Sequence, residues 1–183
     1  VSHPEEIVAV WHGGMAFHGG LIGVALGAWY FARRHKLSGY TVADICGAVA
    51  PIGIFFGRLA NFIKPEMWGR PTDVPWAMVF PGAGPLPRHP SQLYEAGLEG
   101  LLMLIVTALV VRAGGLRRPG YVAGVFGVGY GLARIVSEFF REPDPQLEAL
   151  AHGLTMGMVL SAPMIILGLW LILRSRTTKG AAP

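Results

Sequence analysis

The chain is poor in charged residues and in cysteine. Asp, Glu, Lys and Arg make up 14% of its 183 residues, whereas an average soluble domain carries about 25%. The single cysteine, Cys46, lies in an apolar run, so a framework of intrachain disulfides is excluded. Hydrophobic residues reach 52%, a bias that a soluble core of this size does not need. These proportions favour a protein that is surrounded by lipid.

Five apolar segments are each long enough to cross a bilayer as a helix. A spanning helix needs about 20 mostly apolar residues, and the segments are 15–32, 41–62, 93–111, 120–140 and 153–173. They predict an all-α fold, a polytopic integral membrane bundle of about five transmembrane helices with a long outer loop. We expect residues 1–183 to form a single membrane-embedded domain.

The start of the chain does not resemble a signal peptide. The first residue is Val1, and the acidic residues Glu5 and Glu6 precede the first apolar segment, whereas a signal peptide begins with basic residues. We therefore expect the domain to be a fragment of a longer chain.

Basic residues are unevenly distributed between the connections of these segments. The connections 32–40 and 112–119 and the tail from 174 hold nine of the fifteen Lys and Arg residues, and the opposite connections hold four. By the positive-inside rule, the N-terminus is predicted outside and the C-terminus in the cytoplasm. The outer loop 63–92 contains Trp68 and Trp76, and indole rings favour the membrane–water interface.

Glycines recur at a spacing of four residues in three rows. The rows are Gly19, Gly23 and Gly27, then Gly53 and Gly57, then Gly120 and Gly124. Small residues at this spacing let helix backbones approach closely in lipid. We interpret these glycines as packing positions without a chemical role.

A few ionisable residues lie inside the predicted spans, where charge is costly. At about 1.5 Å per residue, Arg58 lies about 25 Å and Arg134 about 21 Å from the cytoplasmic ends of their spans. His18, near the start of the first span, lies at the same outer level. Guanidinium groups bind phosphate through a planar fork of donors. Two arginines at one level therefore predict a site for a phospholipid headgroup.

Each of these residues also has a structural interpretation. Arg134 and Glu138, at positions i and i+4, can form an ion pair, while Arg58 extends to the interface. His18 can act as a base near neutral pH, or it can simply satisfy a backbone carbonyl.

Three more polar residues are candidates for the same site. Asn61 and Glu66 follow Arg58, where they can bind a headgroup hydroxyl, orient an arginine or cap the helix. Tyr130 lies one turn before Arg134, where its hydroxyl can reach the site or a nearby carbonyl.

The segment 57–70, GRLANFIKPEMWGR, resembles the signature of the prolipoprotein diacylglyceryl transferase family. FHGG at 17–20, RHPSQLYE at 88–95 and GYGLARIVSEFFREPD at 129–144 complete the resemblance in family order. The family usually has Gly where Ala60 stands and Asn where Lys64 stands. The resemblance implies about two further spans and an external head region upstream.

The resemblance implies the first step of bacterial lipoprotein maturation in the inner membrane. A diacylglyceryl group would pass from phosphatidylglycerol to the lipobox cysteine thiol in a prolipoprotein signal peptide, forming a thioether and releasing glycerol phosphate. The substrate supplies the nucleophile, so Cys46 is not needed for catalysis. No cofactor, metal ion or nucleic acid is implied, and the site would lie near the periplasmic leaflet.

Resemblance and depth together assign the site residues. His18, Arg58 and Arg134 are the predicted catalytic residues: the arginines hold the phosphate and stabilise the leaving group, and His18 takes the thiol proton. Glu138 is expected to orient Arg134. Headgroup binding, or orientation of these groups, is assigned to Asn61, Glu66 and Tyr130.

Two alternatives from other classes stay open at this point. Paired arginines in a helical bundle also suit a transporter or channel for an anionic solute, although the five segments show no convincing internal duplication. A non-catalytic assembly subunit is the other alternative, but it leaves the shared depth of the charges unexplained.

Overall fold

The structure, a computed structural model, describes residues 17–142 and 155–177, without the side chains at 17–19, 21 and 177. Its α-helices are α1 (Phe17–Arg34), α2 (Gly39–Ile63), α3 (Ser91–Glu95), α4 (Met103–Arg112), α5 (Tyr121–Glu138) and α6 (Met156–Thr177). A π-helix, Ala96–Leu102, joins α3 to α4, and a 3₁₀ turn, Gly115–Arg117, precedes α5. Within these residues the only β-structure is isolated bridges, so the all-α fold is confirmed.

Among the described residues, three helices are long and apolar enough to cross a membrane. They are Gly39–Ile63, Ser91–Arg112, in which α3, the π-helix and α4 are continuous, and Met156–Arg176. The helices α1 and α5, each of 18 residues, overlap the first and fourth predicted spans, so a count of five spans stays a prediction. The predicted starts of the first and fifth spans, at 15 and 153, lie outside the described residues.

Polar side chains are buried and large apolar ones are exposed. Gln92, Glu95 and Glu99 are among the largest fully buried side chains, whereas Phe56 is 63% exposed and Ile166 is 68% exposed. In water this distribution would be unfavourable, since apolar burial is the main driving force of folding. The chain is therefore a helical membrane protein with a polar interior and an apolar exterior.

Glycines let helix backbones approach closely, as two examples show. A Cβ atom at Gly100, in the π-helix, would lie 2.7 Å from the Cα of Phe55 in α2, and one at Gly124 in α5 would lie 2.7 Å from the carbonyl oxygen of Gly168 in α6. Close packing is thus confirmed in the predicted row that contains Gly124. It does not extend, among the described residues, to Gly23, Gly27, Gly53 and Gly57, where a Cβ would meet no atom within 4 Å.

The carboxylate of Asp44 in α2 caps the N-terminus of α5. Its oxygens accept hydrogen bonds from the backbone N–H of Gly120 at 2.7 Å and of Ala123 at 2.8 Å, and Asp44 is completely buried. The first amides of a helix have no partner within it, and a negative charge is favourable at that end. The cap therefore fixes α5 against α2.

Replacing Asp44 by Ala is expected to lower the free energy of unfolding by about 1–3 kcal/mol, because buried N–H groups would lose their acceptor. Thermal unfolding in detergent micelles measures the change. Asp73→Ala is the matched control, since Asp73 is an exposed carboxylate of the outer loop. Equal unfolding midpoints for the two variants would contradict the stabilising role of the cap.

Candidate active site

Five charged side chains meet where α2, the α3–π-helix–α4 span and α5 face one another. We call this group the ion cluster; its members are Arg58, Glu95, Glu99, Arg134 and Glu138. The side chains of Glu95 and Glu99 are fully buried, and those of Arg58 and Arg134 are 17% and 12% exposed. Charges at such positions need partners or water, and these five residues partner one another.

Glu95 and Glu99 each bridge both arginines. The Glu95 carboxylate lies 3.0 Å from Nη1 of Arg58 and 3.0 Å from Nη1 of Arg134. The Glu99 carboxylate lies 3.1 Å from Nη2 of Arg58 and 3.4 Å from Nη1 of Arg134. The two guanidinium groups are therefore held in fixed positions relative to each other.

The arginines lie together, as their shared depth predicts. Arg134 also donates a hydrogen bond to Glu138, which confirms that this i, i+4 pair is in contact. The pair is not isolated, however, because the same guanidinium binds Glu95. The alternative of an Arg58 that extends alone to the interface is wrong, since Arg58 is paired with two buried carboxylates.

The local structure of three helices positions these groups. Arg58 lies near the end of α2, and Arg134 and Glu138 lie one turn apart in α5. Glu95 ends α3, and Glu99 lies in the π-helix, a rare element that occurs often at functional sites. The contact of Gly100 with Phe55 brings the π-helix against α2, one turn from Arg58.

Sequence reasoning missed Glu95 and Glu99. Both lie inside the third predicted span, 93–111, where every ionisable side chain requires an explanation. Their spacing of four residues places them on one helix face, which was the available signal. The prediction considered Arg58, Arg134 and Glu138 without the carboxylates that join the two arginines.

The formal charge of the ion cluster is −1, from two arginines and three glutamates. A guanidinium carries five N–H donors, and Arg58 uses both of its terminal nitrogens in the ion pairs described above. A phosphate bound here would therefore share the arginines with carboxylates. Within residues 17–142 and 155–177, no group of His, Cys, Asp and Glu side chains could hold a metal ion.

Asn61 and Glu66 contact each other at the C-terminal end of α2. Asn61 Nδ2 donates to the Glu66 carboxylate at 2.7 Å, and Lys64 Nζ lies 3.0 Å from it. The hydrogen bonds from Lys64 and Asn61 lower the pKa of Glu66, so its carboxylate stays ionised at neutral pH. Among the described contacts, no hydrogen bond links Asn61 or Glu66 to the arginines, so their assigned roles stay predictions.

The structure describes the side chain of Tyr130 but only the backbone of His18. Tyr130 lies within electrostatic range of Glu99, Arg58 and Arg134, so it belongs to the surroundings of the ion cluster. His18 is the second residue of α1, and its side chain lies outside the described residues. The catalytic role of His18 therefore stays a prediction.

Side chains of the outer loop form polar contacts with the residues that follow α5. Arg88 forms an ion pair with Glu142, and Trp68 Nε1 donates to the same carboxylate at 3.1 Å. Trp76 Nε1 donates to the Tyr94 hydroxyl at 2.6 Å. Both tryptophans thus have polar partners, and the loop contacts Tyr94, which directly precedes Glu95 of the ion cluster.

An apolar cavity of about 460 Å³ lies between the α3–π-helix–α4 span and α5. Leu98, Leu132 and Val136 line it and are close in sequence to members of the ion cluster. Such walls suit hydrocarbon, since pockets lined by hydrophobic side chains bury most of a ligand's surface. The structure therefore combines a charged centre with an adjoining apolar space.

Comparison with known proteins gives a consistent family assignment. The family described as prolipoprotein diacylglyceryl transferase matches residues 1–174. A relative from Methylocella silvestris is 61% identical over 172 residues, which are 94% of this chain and 63% of the relative. One from Nitrobacter hamburgensis is 59% identical over 174 residues, which are 94% of this chain and 60% of the relative.

A third relative, from Rhodopseudomonas palustris, is 55% identical over 184 residues, which are 99% of this chain and 64% of the relative. All three relatives carry the name phosphatidylglycerol–prolipoprotein diacylglyceryl transferase. The chain thus spans less than two thirds of the length of these curated relatives.

Proposed function

We propose, since the chain belongs to the prolipoprotein diacylglyceryl transferase family, that it carries the catalytic centre of such an enzyme. The reaction transfers the diacylglyceryl group of phosphatidylglycerol to the thiol of a lipobox cysteine in a prolipoprotein. The observation that carries the proposal is the meeting of Arg58 and Arg134 at shared carboxylates. Family membership favours group transfer over transport of an anion.

The chemistry requires one bond to form as another breaks. The thiol sulfur attacks the terminal glyceryl carbon of the diacylglyceryl group, and the bond between this carbon and the phosphate oxygen breaks. The electron pair leaves with glycerol phosphate, whose negative charge increases, and the thiol proton passes to a base. The reaction forms a thioether and glycerol phosphate.

Arg58 and Arg134 would stabilise the departing phosphate. Fixed donors aimed at developing charge lower a barrier without having to reorganise. Glu95 and Glu99 hold the two guanidinium groups in place before substrate binds, and Glu138 orients Arg134. Asn61, Glu66 and Tyr130 are proposed to bind the headgroup or to orient these groups, and the adjoining apolar cavity would hold hydrocarbon of the lipid.

The membrane setting belongs to the same proposal. Residues 1–183 form one membrane-embedded domain in the bacterial inner membrane, with the ion cluster near the periplasmic leaflet and the C-terminus in the cytoplasm. The excess of Lys and Arg in the connections 32–40 and 112–119 and in the tail supports this orientation. The lipobox signal peptide would approach from within the bilayer.

The test uses a chain in which this segment replaces the matching part of the Methylocella silvestris relative; we call it the completed chain. It is incubated with phosphatidylglycerol and a lipobox peptide, and the peptide is analysed by mass spectrometry. A diacylglyceryl thioether on the peptide cysteine is the expected product. Flux of an anion across liposomes, without any covalent product, would overturn the proposal in favour of transport.

His18→Gln in the completed chain is expected to slow transfer by about 100-fold, because general bases contribute roughly 10²–10⁴-fold. An imidazole accepts a proton only when neutral, so the rate of the unaltered chain should fall as the pH drops from about 8 to about 5. The variant should lose this dependence. The measurement is the initial rate of thioether formation against pH.

The matched control is His35→Gln, at an exposed position directly after α1, and it should keep both the rate and the pH profile. If His18→Gln keeps them too, His18 is not the base and has a structural role.

A further inference from the structure

We propose that Arg141 is a third cation of the phosphate site and that its guanidinium binds the phosphate of the anionic lipid headgroup. This inference rests on the function proposed above and adds a residue to it. Arg141 follows α5 by three residues, at the end of that helix where the outer loop is attached.

The backbone of Arg141 is held firmly. Its carbonyl oxygen accepts a hydrogen bond from Arg70 Nε at 2.8 Å, and an antiparallel bridge joins it to Gly69. A Cβ atom at Gly69 would lie 2.5 Å from the His89 oxygen and 2.6 Å from the Phe140 oxygen, so this junction tolerates only glycine. Such a fixed backbone is what an oriented binding group needs.

The side chain of Arg141 differs from those of its basic neighbours. Arg70 and Arg88 donate hydrogen bonds to protein acceptors at this junction. Within residues 17–142 and 155–177, no hydrogen bond or ion pair engages the guanidinium of Arg141. It is only partly exposed. The backbone N–H of Arg141 donates to the Ser137 carbonyl oxygen at 3.2 Å, so the last turn of α5 continues to Arg141 and places it one turn beyond Glu138 of the ion cluster. Glu95 lies within electrostatic range of Arg141.

The formal charge of the ion cluster favours an additional cation in a site that binds an anion. Two arginines and three glutamates give a formal charge of −1, which would repel an approaching phosphate. Arg141 raises the sum to zero and supplies N–H donors that no carboxylate of the described residues occupies. Guanidinium is also the group best suited to bidentate phosphate recognition. The three arginines therefore have different roles. Arg58 and Arg134 are held in place by carboxylates, while the guanidinium of Arg141 is available to bind the phosphate of the incoming lipid.

The experiment compares Arg141→Gln, Arg141→Lys and Arg112→Gln in the completed chain. Arg112 is an exposed arginine at the far end of α4, so its variant controls for loss of one positive charge. Two quantities are measured: the KM for a soluble short-chain phosphatidylglycerol in thioether formation, and the binding of glycerol phosphate by calorimetry.

Arg141→Gln should raise the KM and weaken glycerol phosphate binding by about 10- to 100-fold each, as expected for hydrogen bonds to a charged group. The kcat should change less than the KM. Arg141→Lys should restore part of the loss, since it keeps the charge without the planar fork, and Arg112→Gln should behave like the unaltered chain.

Two results would overturn the inference. One is an unchanged KM and unchanged glycerol phosphate binding in Arg141→Gln. The other is a loss of activity in Arg141→Gln with unaltered glycerol phosphate binding and an unaltered KM, because Arg141 would then act on the neighbouring charges and not on the phosphate. If the unaltered chain forms no thioether, the proposed function fails, while weakened binding in Arg141→Gln would still support this site.

Discussion

Replacing Arg58 or Arg134 by Ala in the completed chain is expected to lower kcat/KM for thioether formation by about 1,000-fold or more. Loss of one preorganised donor at a developing oxyanion costs roughly 10²–10³-fold, and each of these arginines presents several donors. Both guanidinium groups are also fixed by the same two carboxylates. Removing one arginine should therefore disturb the position of the other.

Lysine variants separate charge from geometry. Arg58 engages Glu95 and Glu99 through two different nitrogens of its planar guanidinium. Lysine has a single ammonium nitrogen, so it cannot make both contacts with the same geometry. Arg58→Lys should thus recover only a small part of the lost activity. Arg112→Ala, at the exposed end of α4, is the control and should keep full activity.

The same variants should still insert and fold. A carboxylate that loses its cationic partner can become neutral by taking up a proton, so loss of Arg58 need not unfold the bundle. The amount of protein in the membrane fraction and its thermal unfolding in detergent check this point. Turnover close to that of the unaltered chain in either alanine variant would remove the proposed role of that arginine.

Hydropathy predicted three spans that the described helices match, because lipid imposes a simple rule on length and composition; the count of five stays a prediction. The predicted segments 41–62 and 93–111 correspond to the helices Gly39–Ile63 and Ser91–Arg112. The π-helix Ala96–Leu102 could not be predicted, since its hydrogen-bond pattern depends on packing against α2. The glycine spacing predicted close helix contacts correctly at Gly124 in α5. The same prediction was wrong for the described glycines of the rows in α1 and α2, because spacing alone does not say which helix face meets a neighbour.

The sequence predicted both arginines of the ion cluster. It did not predict the two carboxylates, Glu95 and Glu99, that join them. Depth along two spans was enough to bring Arg58 and Arg134 to one level, and their shared carboxylates confirm it. Glu95 and Glu99 were detectable as charges inside an apolar run. The choice between an isolated Arg134–Glu138 pair and a connected cluster required the crossing of three helices, which one sequence does not specify.

Gly100→Ala is expected to inactivate the completed chain although it adds only a methyl group at a position without a chemical role. The new Cβ would lie 2.7 Å from Cα and Cβ of Phe55 and 3.0 Å from its backbone nitrogen. Backbone atoms cannot turn away as a flexible side chain can, so α2 and the π-helix must separate. Overpacking of this kind typically costs about 1–3 kcal/mol in stability.

Separation of these two helices acts directly on the site. Arg58 lies one turn after Phe55, and Glu99 is adjacent to Gly100, so a shift that relieves the contact lengthens the 3.1 Å ion pair between them. Gly97→Ala is the matched control, since a Cβ at Gly97, in the same π-helix, would meet no atom within 4 Å. Thioether formation and thermal unfolding are measured for both variants. Equal activities would mean that the close approach of α2 does not set the position of Arg58; activity lost only in Gly100→Ala would show that it does.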